Sequence, residues 1–271
     1  MPIMEAMLDR PVSEILPIVE AELFTPRHPW PLKSVGVPAD MWVMACAKDM
    51  LKLLRGMQKA KVRDALAKVQ ERLMSGLMAY NGVVALKNPF DLWTYREIMY
   101  ELRPNAVVEL GVSRGGATLW LADTCQSIGK GFVVGVDKSF AMLHETVPRH
   151  PRIKLVQGDV IARFGDVKKL CSGAETVLVI EDTAHTYEHT LSVMRTYGDV
   201  VTCGSYLIVE DTICHHGLNV GHSPGPYEAV AAFLAENKKF ASDRDRERFC
   251  VTWNPTGFLK RENENARTEL Q

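Results

Sequence analysis

Several classes of protein are excluded by features that this 271-residue sequence lacks. No stretch approaches the ~20 uncharged apolar residues of a membrane-spanning helix, so no membrane span is expected. Lys and Arg (32) nearly balance Asp and Glu (33) and form no dense basic stripe, so nucleic acid is not an expected partner. Residues 1–23 are acidic and contain no unbroken apolar core, so we do not expect a secretory signal.

Paired cysteines are also missing. The six cysteines are scattered, and no two of them have C-x-x-C spacing. Free thiols are typical of a reducing compartment, so we expect a cytoplasmic protein.

The N-terminal third has a helical pattern. Apolar residues recur at three- and four-residue steps from Ala39 to about Tyr80, after an irregular arm (residues 1–37) with a short predicted helix at Val12–Leu23. We therefore predict a helical N-terminal extension over residues 1–84. Its methionine stripe is typical of a core or an interface, and it could instead form a substrate lid or a contact in a homo-oligomer.

Residues 85–271 alternate between strand and helix patterns. The predicted strands are nearly all apolar, which indicates an α/β domain whose parallel sheet is covered on both faces. They are Ala106–Leu110, Phe132–Asp137, Lys154–Asp159, Thr176–Asp182 and Ser205–Thr212. Near the end of the chain, RFCVTW, the turn NPTG and FLKR predict a hairpin that closes the sheet edge with an antiparallel strand.

A glycine-rich turn, VVELGVSRGG, follows the first of these strands. Gly111 permits a tight turn, and Gly115 and Gly116 allow the backbone to approach a ligand closely. A dinucleotide site would have G-x-G-x-x-G, but Ser113 occupies the place of the second glycine. Glu109 would repel a pyrophosphate and suits a cationic ligand such as the sulfonium S-adenosylmethionine. The turn alone is equally typical of a strand-to-helix connection without a ligand.

Acidic residues also follow the next two strands. Asp137 lies at the distance after the glycines where an acid binds ribose hydroxyls, and Gly158 and Asp159 would line the adenine edge. The carboxyl ends of parallel strands open on one crevice. Each acid alone could be a helix N-cap, but three in register indicate a ligand site.

Carboxylates are concentrated after two further strands. Glu181 and Asp182 follow one, and Glu210 and Asp211 follow the other. Unneutralised, they would raise one another's pKa, and a hard cation removes the conflict. Oxygen ligands favour Mg²⁺, Mn²⁺ or Ca²⁺ over zinc or copper. His185 would be the proton acceptor beside this cation, although a lone histidine is more often a cap or a surface residue.

Three segments resemble the cephalosporin hydroxylase/rhamnosyl O-methyltransferase family, whose relatives include macrolide-sugar O-methyltransferases. They are VVELGVSRGG, EDTAHTYEHTLSVMRTYGDVVTCGSYLIVEDT, and GPYEAVAAFLAENKKF with NPTGFLKR, within residues 85–261. The resemblance implies a Rossmann-like class I methyltransferase fold over residues 85–271, with a mostly parallel seven-stranded sheet and an antiparallel C-terminal hairpin. It also implies S-adenosylmethionine and Mg²⁺, or alternatively Mn²⁺, as cofactors.

The resemblance implies a role for individual residues. Asp182, Glu210 and Asp211 would be the metal ligands, and His185 the general base. The cofactor positions would be Glu109, Gly111, Gly115, Asp137 and Asp159, to which the turn and strand patterns add Ser113 and Gly158. No role is implied for Glu181 or for the helical extension.

These features predict methyl transfer from S-adenosylmethionine to a hydroxyl of a small-molecule acceptor, either a sugar or another natural product. A vicinal diol on a sugar would suit bidentate metal binding, and so would a catechol. An NAD-dependent oxidoreductase or epimerase would need the missing glycine and a Tyr/Lys pair. An oxygenase would need two histidines and a carboxylate for iron. A non-catalytic accessory subunit would have no need of the three acids and His185.

Overall fold

The computed structural model describes residues 78–214, 223–249 and 252–262, together with residues 11, 13 and 14. The chain divides into two compact units, Met1–Arg72 and Leu73–Gln271, and the fold below belongs to the second. Apart from residues 11, 13 and 14, the predicted arm and the short helix Val12–Leu23 lie outside the described residues, and so does most of the long helix. The domain boundary after residue 84 and the lid or homo-oligomer role stay predictions.

The second unit has a short hairpin where the sequence pattern predicted the end of a helix. Strand β1 (Ala79–Tyr80) pairs antiparallel with β2 (Val83–Val84). Asn81 and Gly82 between them have φ values of +48° and +81°, as in an Asn-Gly hairpin turn. The prediction of a helix to about Tyr80 is therefore wrong at its end, because this turn signal outweighs the apolar spacing.

Five helices flank the central sheet in the described residues. They are α1 (Pro89–Leu102), α2 (Gly116–Ile128), α3 (Phe164–Leu170), α4 (Tyr187–Tyr197) and α5 (Pro226–Glu236). Helix α1 begins at Pro89 after Asn88, whose side-chain oxygen accepts a hydrogen bond from the Phe90 N–H at 3.0 Å. None of the described helices has the length and apolar character needed to cross a membrane.

A seven-stranded sheet forms the centre of the unit. Its strands are β3 (Ala106–Leu110), β4 (Phe132–Asp137), β5 (Ile153–Gln157), β6 (Val177–Glu181), β7 (Tyr206–Val209), β8 (Phe240–Ser242) and β9 (Phe258–Arg261). They lie in the order β5-β4-β3-β6-β7-β9-β8. Among these seven strands, β9 alone runs in the opposite direction to the others. The predicted mostly parallel seven-stranded sheet is confirmed.

Both faces of the sheet are covered. In β3, the buried Val108 and Leu110 belong to a core cluster with residues of α3, α4 and α5. The intervening Val107 belongs to a second cluster with residues of α1 and α2. Successive side chains of a strand point to opposite faces, so an all-apolar strand is what a two-sided core requires.

The first strand of the C-terminal hairpin differs from its prediction. RFCVTW was expected to pair with FLKR, but β8 (Phe240–Ser242) takes that place and β9 lies between β7 and β8. The antiparallel strand is therefore inside the sheet, and β8 forms the edge. The end of the predicted strand has another partner, since the Asp91 carboxylate accepts hydrogen bonds from the Thr252 hydroxyl at 2.6 Å and the Trp253 N–H at 2.8 Å.

Candidate active site

The glycine turn lies directly against the backbone that carries the metal-type acids. Gly111 follows β3 with φ of +95°, and a Cβ at this position would come within 1.8 Å of the Asp182 carbonyl oxygen. The Asp182 N–H donates to the Leu110 carbonyl at 2.8 Å. Glycine is therefore required here by close approach as well as by backbone conformation. The predicted cofactor turn and the carboxylate cluster share one crevice.

Asp137 organises this turn. One of its oxygens, Oδ2, accepts hydrogen bonds from the N–H groups of Val112 at 2.9 Å and Ser113 at 2.8 Å. Its Oδ1 accepts from the Ser139 N–H at 3.1 Å. Gly115 then forms the N-cap of α2 with φ of +86°. The predicted role of Asp137 toward ribose, and those of Ser113 and Gly115 toward a cofactor, stay predictions.

Glu109 is buried within β3 rather than exposed at its end. Its Oε2 accepts a hydrogen bond from the Thr118 hydroxyl on α2. Burial raises the pKa of Glu109 to about 7, although the charge of Lys87 and the bond from Thr118 act against this. The contact of Glu109 with a cationic cofactor stays a prediction.

Gly158 and Asp159 follow β5 as expected. Gly158 has φ of +142°. The Asp159 carboxylate accepts hydrogen bonds from the N–H groups of Ile161 at 3.0 Å and Ala162 at 3.2 Å. These bonds, helped by Lys138, lower its pKa. This acid caps the turn before α3, and the adenine-edge assignment of both residues stays a prediction.

Three predicted site residues converge after β6 and β7. Asp182, His185 and Asp211 each offer one ligand atom, and these atoms lie within 4.8 Å of one another. His185 Nε2 is 3.5 Å from Asp182 Oδ1 and 3.4 Å from Asp211 Oδ2. Because β7 ends at Val209, the turn that follows can direct Asp211 into the crevice. Burial and the neighbouring Asp182 charge raise the pKa of Asp211 to about 6.

Glu210 is placed differently from the other two predicted metal ligands. It is buried, and its Oε2 lies 2.5 Å from the ammonium nitrogen of Lys87. Its Oε1 is buried with no hydrogen-bond partner among the described residues. Burial raises the pKa of Glu210 well above its ordinary value. The three-acid ligand set stays a prediction, with one oxygen of Glu210 already occupied.

Lys87 was not predicted from the sequence. It lies between β2 and α1, and its ammonium group donates to Asp182 Oδ2 as well as to Glu210. Burial alone would lower the pKa of Lys87, but the charges of Asp182, Glu210 and Glu109 outweigh it and raise the pKa. The sequence signal was indirect: several buried acids require a cation, and nothing local pointed to a lysine 95 positions before Asp182.

Glu181 is the fourth acid at the ends of these strands. It is buried, and its Oε1 accepts a hydrogen bond from the Thr183 hydroxyl at 2.8 Å. Burial raises the pKa of Glu181 to about 8. Its other oxygen, Oε2, is buried with no hydrogen-bond partner among the described residues.

The side chains of the cluster fit a hard divalent cation. Carboxylate oxygens are the ligands that Mg²⁺ and Mn²⁺ prefer, and Asp182 and Asp211 supply them. Glu210 lies outside this group of converging ligand atoms, so its part in binding a cation stays a prediction.

The strand order, the antiparallel β9 and the glycine turn beside the acids define a class I methyltransferase fold. Within that class, the chain belongs to the rhamnosyl O-methyltransferase/CmcI family, whose family model matches residues 73–262. This confirms the resemblance drawn from the sequence. The matched range, residues 73–262, contains the positions of all the predicted cofactor, metal and base residues.

Individual relatives agree with this membership. The rhamnosyl O-methyltransferase of Mycobacterium tuberculosis is 33% identical over 191 residues, which cover 67% of this chain and 77% of the relative. That of Mycobacterium leprae is 29% identical over 215 residues, covering 73% and 91%.

Solved structures agree in fold. A structure of CmcI with Mg-SAM has a TM-score of 0.57 and 22% identity, and covers 89% of this chain and 88% of that chain. An apo structure of CmcI has a TM-score of 0.55 and 23% identity, with coverage of 89% and 87%. At this identity the likeness shows a shared fold.

Proposed function

We propose that this protein is a Mg²⁺-dependent O-methyltransferase that uses S-adenosylmethionine and methylates a hydroxyl of a small-molecule sugar. The observation that carries the proposal is the convergence of Asp182, His185 and Asp211 beside the glycine turn at Gly111. It is supported by relatives described as rhamnosyl O-methyltransferases and by a similar structure described with Mg-SAM. Free thiols at Cys125, Cys171 and Cys214 support action in the cytoplasm.

The acids would hold the cation and the acceptor's oxygen in one place. Asp182 and Asp211 face the crevice, and Glu210 would contribute its unpartnered oxygen. When bound, Mg²⁺ would act as a Lewis acid that lowers the pKa of the acceptor hydroxyl and fixes its direction. A sugar diol offers two oxygens at a suitable spacing, as a catechol also does, and the relatives described as rhamnosyl O-methyltransferases favour the sugar.

His185 would accept the proton of that hydroxyl. Its Nε2 lies 3.5 Å from Asp182 Oδ1 and 3.4 Å from Asp211 Oδ2, so the imidazole is beside both carboxylates. A hydroxyl held by these acids would therefore be close to the base that takes its proton. Its contribution to the rate is expected to be about 10²–10⁴-fold.

The glycine turn would hold the cofactor, whose sulfonium supplies the methyl group. Its backbone can approach a ligand closely at Gly111 and Gly115, and Asp137 fixes the turn through the N–H groups of Val112 and Ser113. Positioning of two reactants is the main demand on such a protein, because it makes the reaction effectively unimolecular.

The test is isothermal titration with S-adenosylmethionine, with and without Mg²⁺, on the wild type and on Asp182→Ala. We expect cofactor binding in both proteins and a Mg²⁺ signal that Asp182→Ala abolishes. Asp199→Ala is the matched control, since Asp199 is an exposed acid whose nearest ion-pair partner is Lys239. Absence of cofactor binding under every condition would contradict the proposal and favour an accessory subunit.

A second arm tests turnover. His185→Ala should bind the cofactor normally and lose methyl transfer, because the base is removed while the cofactor turn is intact. Rhamnosides and catechols are compared as acceptors with radiolabelled cofactor. Transfer to catechols alone would reject the sugar acceptor and retain the methyltransferase activity.

A further inference from the structure

Lys87 is held rigidly where it enters the acid cluster. Its N–H donates to the Ala85 carbonyl at 2.9 Å, at the end of the β1–β2 hairpin. The next residue, Asn88, is buried and caps α1, and Pro89 occupies the first turn of that helix. The side chain of Lys87 is only 7% exposed. This burial and the ion pairs with Asp182 and Glu210 place the Lys87 side chain in the cluster.

The ammonium group of Lys87 contacts one oxygen of each of two carboxylates. It takes Oδ2 of Asp182 and Oε2 of Glu210. The remaining oxygen of Asp182, Oδ1, lies 3.5 Å from His185 Nε2. The remaining oxygen of Glu210, Oε1, is buried with no hydrogen-bond partner among the described residues.

We propose that Lys87 is the built-in counter-ion of the metal centre. It binds one oxygen of Asp182 and one of Glu210, leaves Oδ1 of Asp182 beside His185, and limits the affinity for the cation. The inference rests on the proposed Mg²⁺-dependent function. It extends that function to a residue on the hairpin side of the domain.

The charges of the cluster agree with this role. Lys87 contacts two of the three predicted ligand acids, Asp182 and Glu210, and so reduces the repulsion among the negative charges of the cluster. Without Lys87 the free acids would repel one another, while a bound cation would no longer be repelled by the ammonium group.

The test compares Lys87→Met with the wild type. Methionine retains an unbranched side chain and removes the charge. Mn²⁺ is titrated calorimetrically, and thermal melting is followed in EDTA and in Mn²⁺. We expect Lys87→Met to bind Mn²⁺ at least about tenfold more tightly, because ammonium–metal repulsion is lost. Its metal-free form should melt lower than the wild type, and Mn²⁺ should raise its melting temperature more.

Lys169→Met is the matched control, since Lys169 is exposed in the last turn of α3. It should change neither Mn²⁺ affinity nor melting. Equal or weaker Mn²⁺ binding by folded Lys87→Met would overturn the inference, because a purely structural lysine predicts that result. If the wild type bound no Mn²⁺, the metal-dependent function would fail together with the inference, which is a different result.

A double variant covers the case in which metal-free Lys87→Met does not fold. Lys87→Met/Glu210→Gln removes one charge of each sign with little change of shape. If repulsion causes the defect, the double variant should fold in EDTA and melt above Lys87→Met. A double variant that is no more stable than the single one would identify a packing defect and overturn the inference.

Discussion

Three residues of the candidate site have left-handed backbone conformations without being glycine. Ser113, His185 and Asp211 have φ values of +51°, +50° and +52°. Each such conformation costs roughly 1–2 kcal/mol, so other contacts must hold it. The N–H of Ser113 donates to Asp137, and that of Asp211 donates to Asn254 Oδ1 at 2.9 Å. Local strain at these turns directs side chains into the crevice.

Gly111 gives the sharpest test of this close-packed geometry. Gly111→Ala should lower the free energy of unfolding by at least about 2 kcal/mol more than Gly129→Ala, because a Cβ would clash with the Asp182 carbonyl. Gly129 is the matched control: its φ is +80°, and nothing lies within 4 Å of a Cβ there. Urea denaturation measures both variants. Equal losses would show that the approach to Asp182 imposes no constraint.

The sequence predicted site residues where the signal was local. Asp182 and Asp211 follow apolar strands, and parallel strands bring their carboxyl ends together, so their convergence could be inferred. The ammonium of Lys87 reaches the same acids from a segment 95 positions before Asp182, and no strand or helix pattern encodes such a contact. The pairing of Glu210 with Lys87 was missed for the same reason.

At the scale of elements, α1 is attached to the C-terminal part of the chain through Asp91 and Tyr95. Asp91 accepts hydrogen bonds from Thr252 and Trp253, and the side-chain amide of Asn254 donates to the Tyr95 hydroxyl at 2.7 Å. These contacts give the end of the predicted strand RFCVTW, Thr252 and Trp253, a partner in a buried acid of a distant helix, while β8 takes the place beside β9.

The buried acid of α1 should make stability depend on pH. Burial raises the pKa of Asp91 to about 7, so folded Asp91 keeps a proton that the unfolded chain has lost between about pH 4 and pH 7. Stability therefore falls as pH rises through this window, by up to about 4 kcal/mol. Asp91→Asn cannot titrate and should remove this loss.

The measurement is the difference in unfolding free energy between the wild type and Asp91→Asn at pH 4.5 and pH 8. Asp166→Asn, an exposed acid of α3, controls for net charge. A difference that does not change with pH would mean that Asp91 is ionised across the whole range.

At the scale of the whole molecule, the site depends on the order of the strands. β6 lies beside β3 and β7, so Asp182 is next to both the glycine turn and the acids after β7. Apolar runs predicted this parallel sheet, because a strand buried on both faces has few alternatives. The position of β9 between β7 and β8 could not be predicted, since strand pairing between residues far apart in sequence leaves no periodic trace.

A cation that joins β6 and β7 should stabilise the entire fold, since metal-free carboxylates repel and the unfolded chain has no assembled site. At a concentration one hundred times its Kd, a ligand specific for the folded state adds about 2.7 kcal/mol. Mn²⁺ should therefore raise the melting temperature of the wild type, and EDTA should reverse the shift.

Asp211→Asn should melt higher than the wild type in EDTA, because burial and repulsion no longer oppose a charge there, and should respond little to Mn²⁺. Asp199→Asn should retain the wild-type response. A full Mn²⁺ response in Asp211→Asn would show that Asp211 is not a ligand, because only a site without Asp211 could bind the cation unchanged.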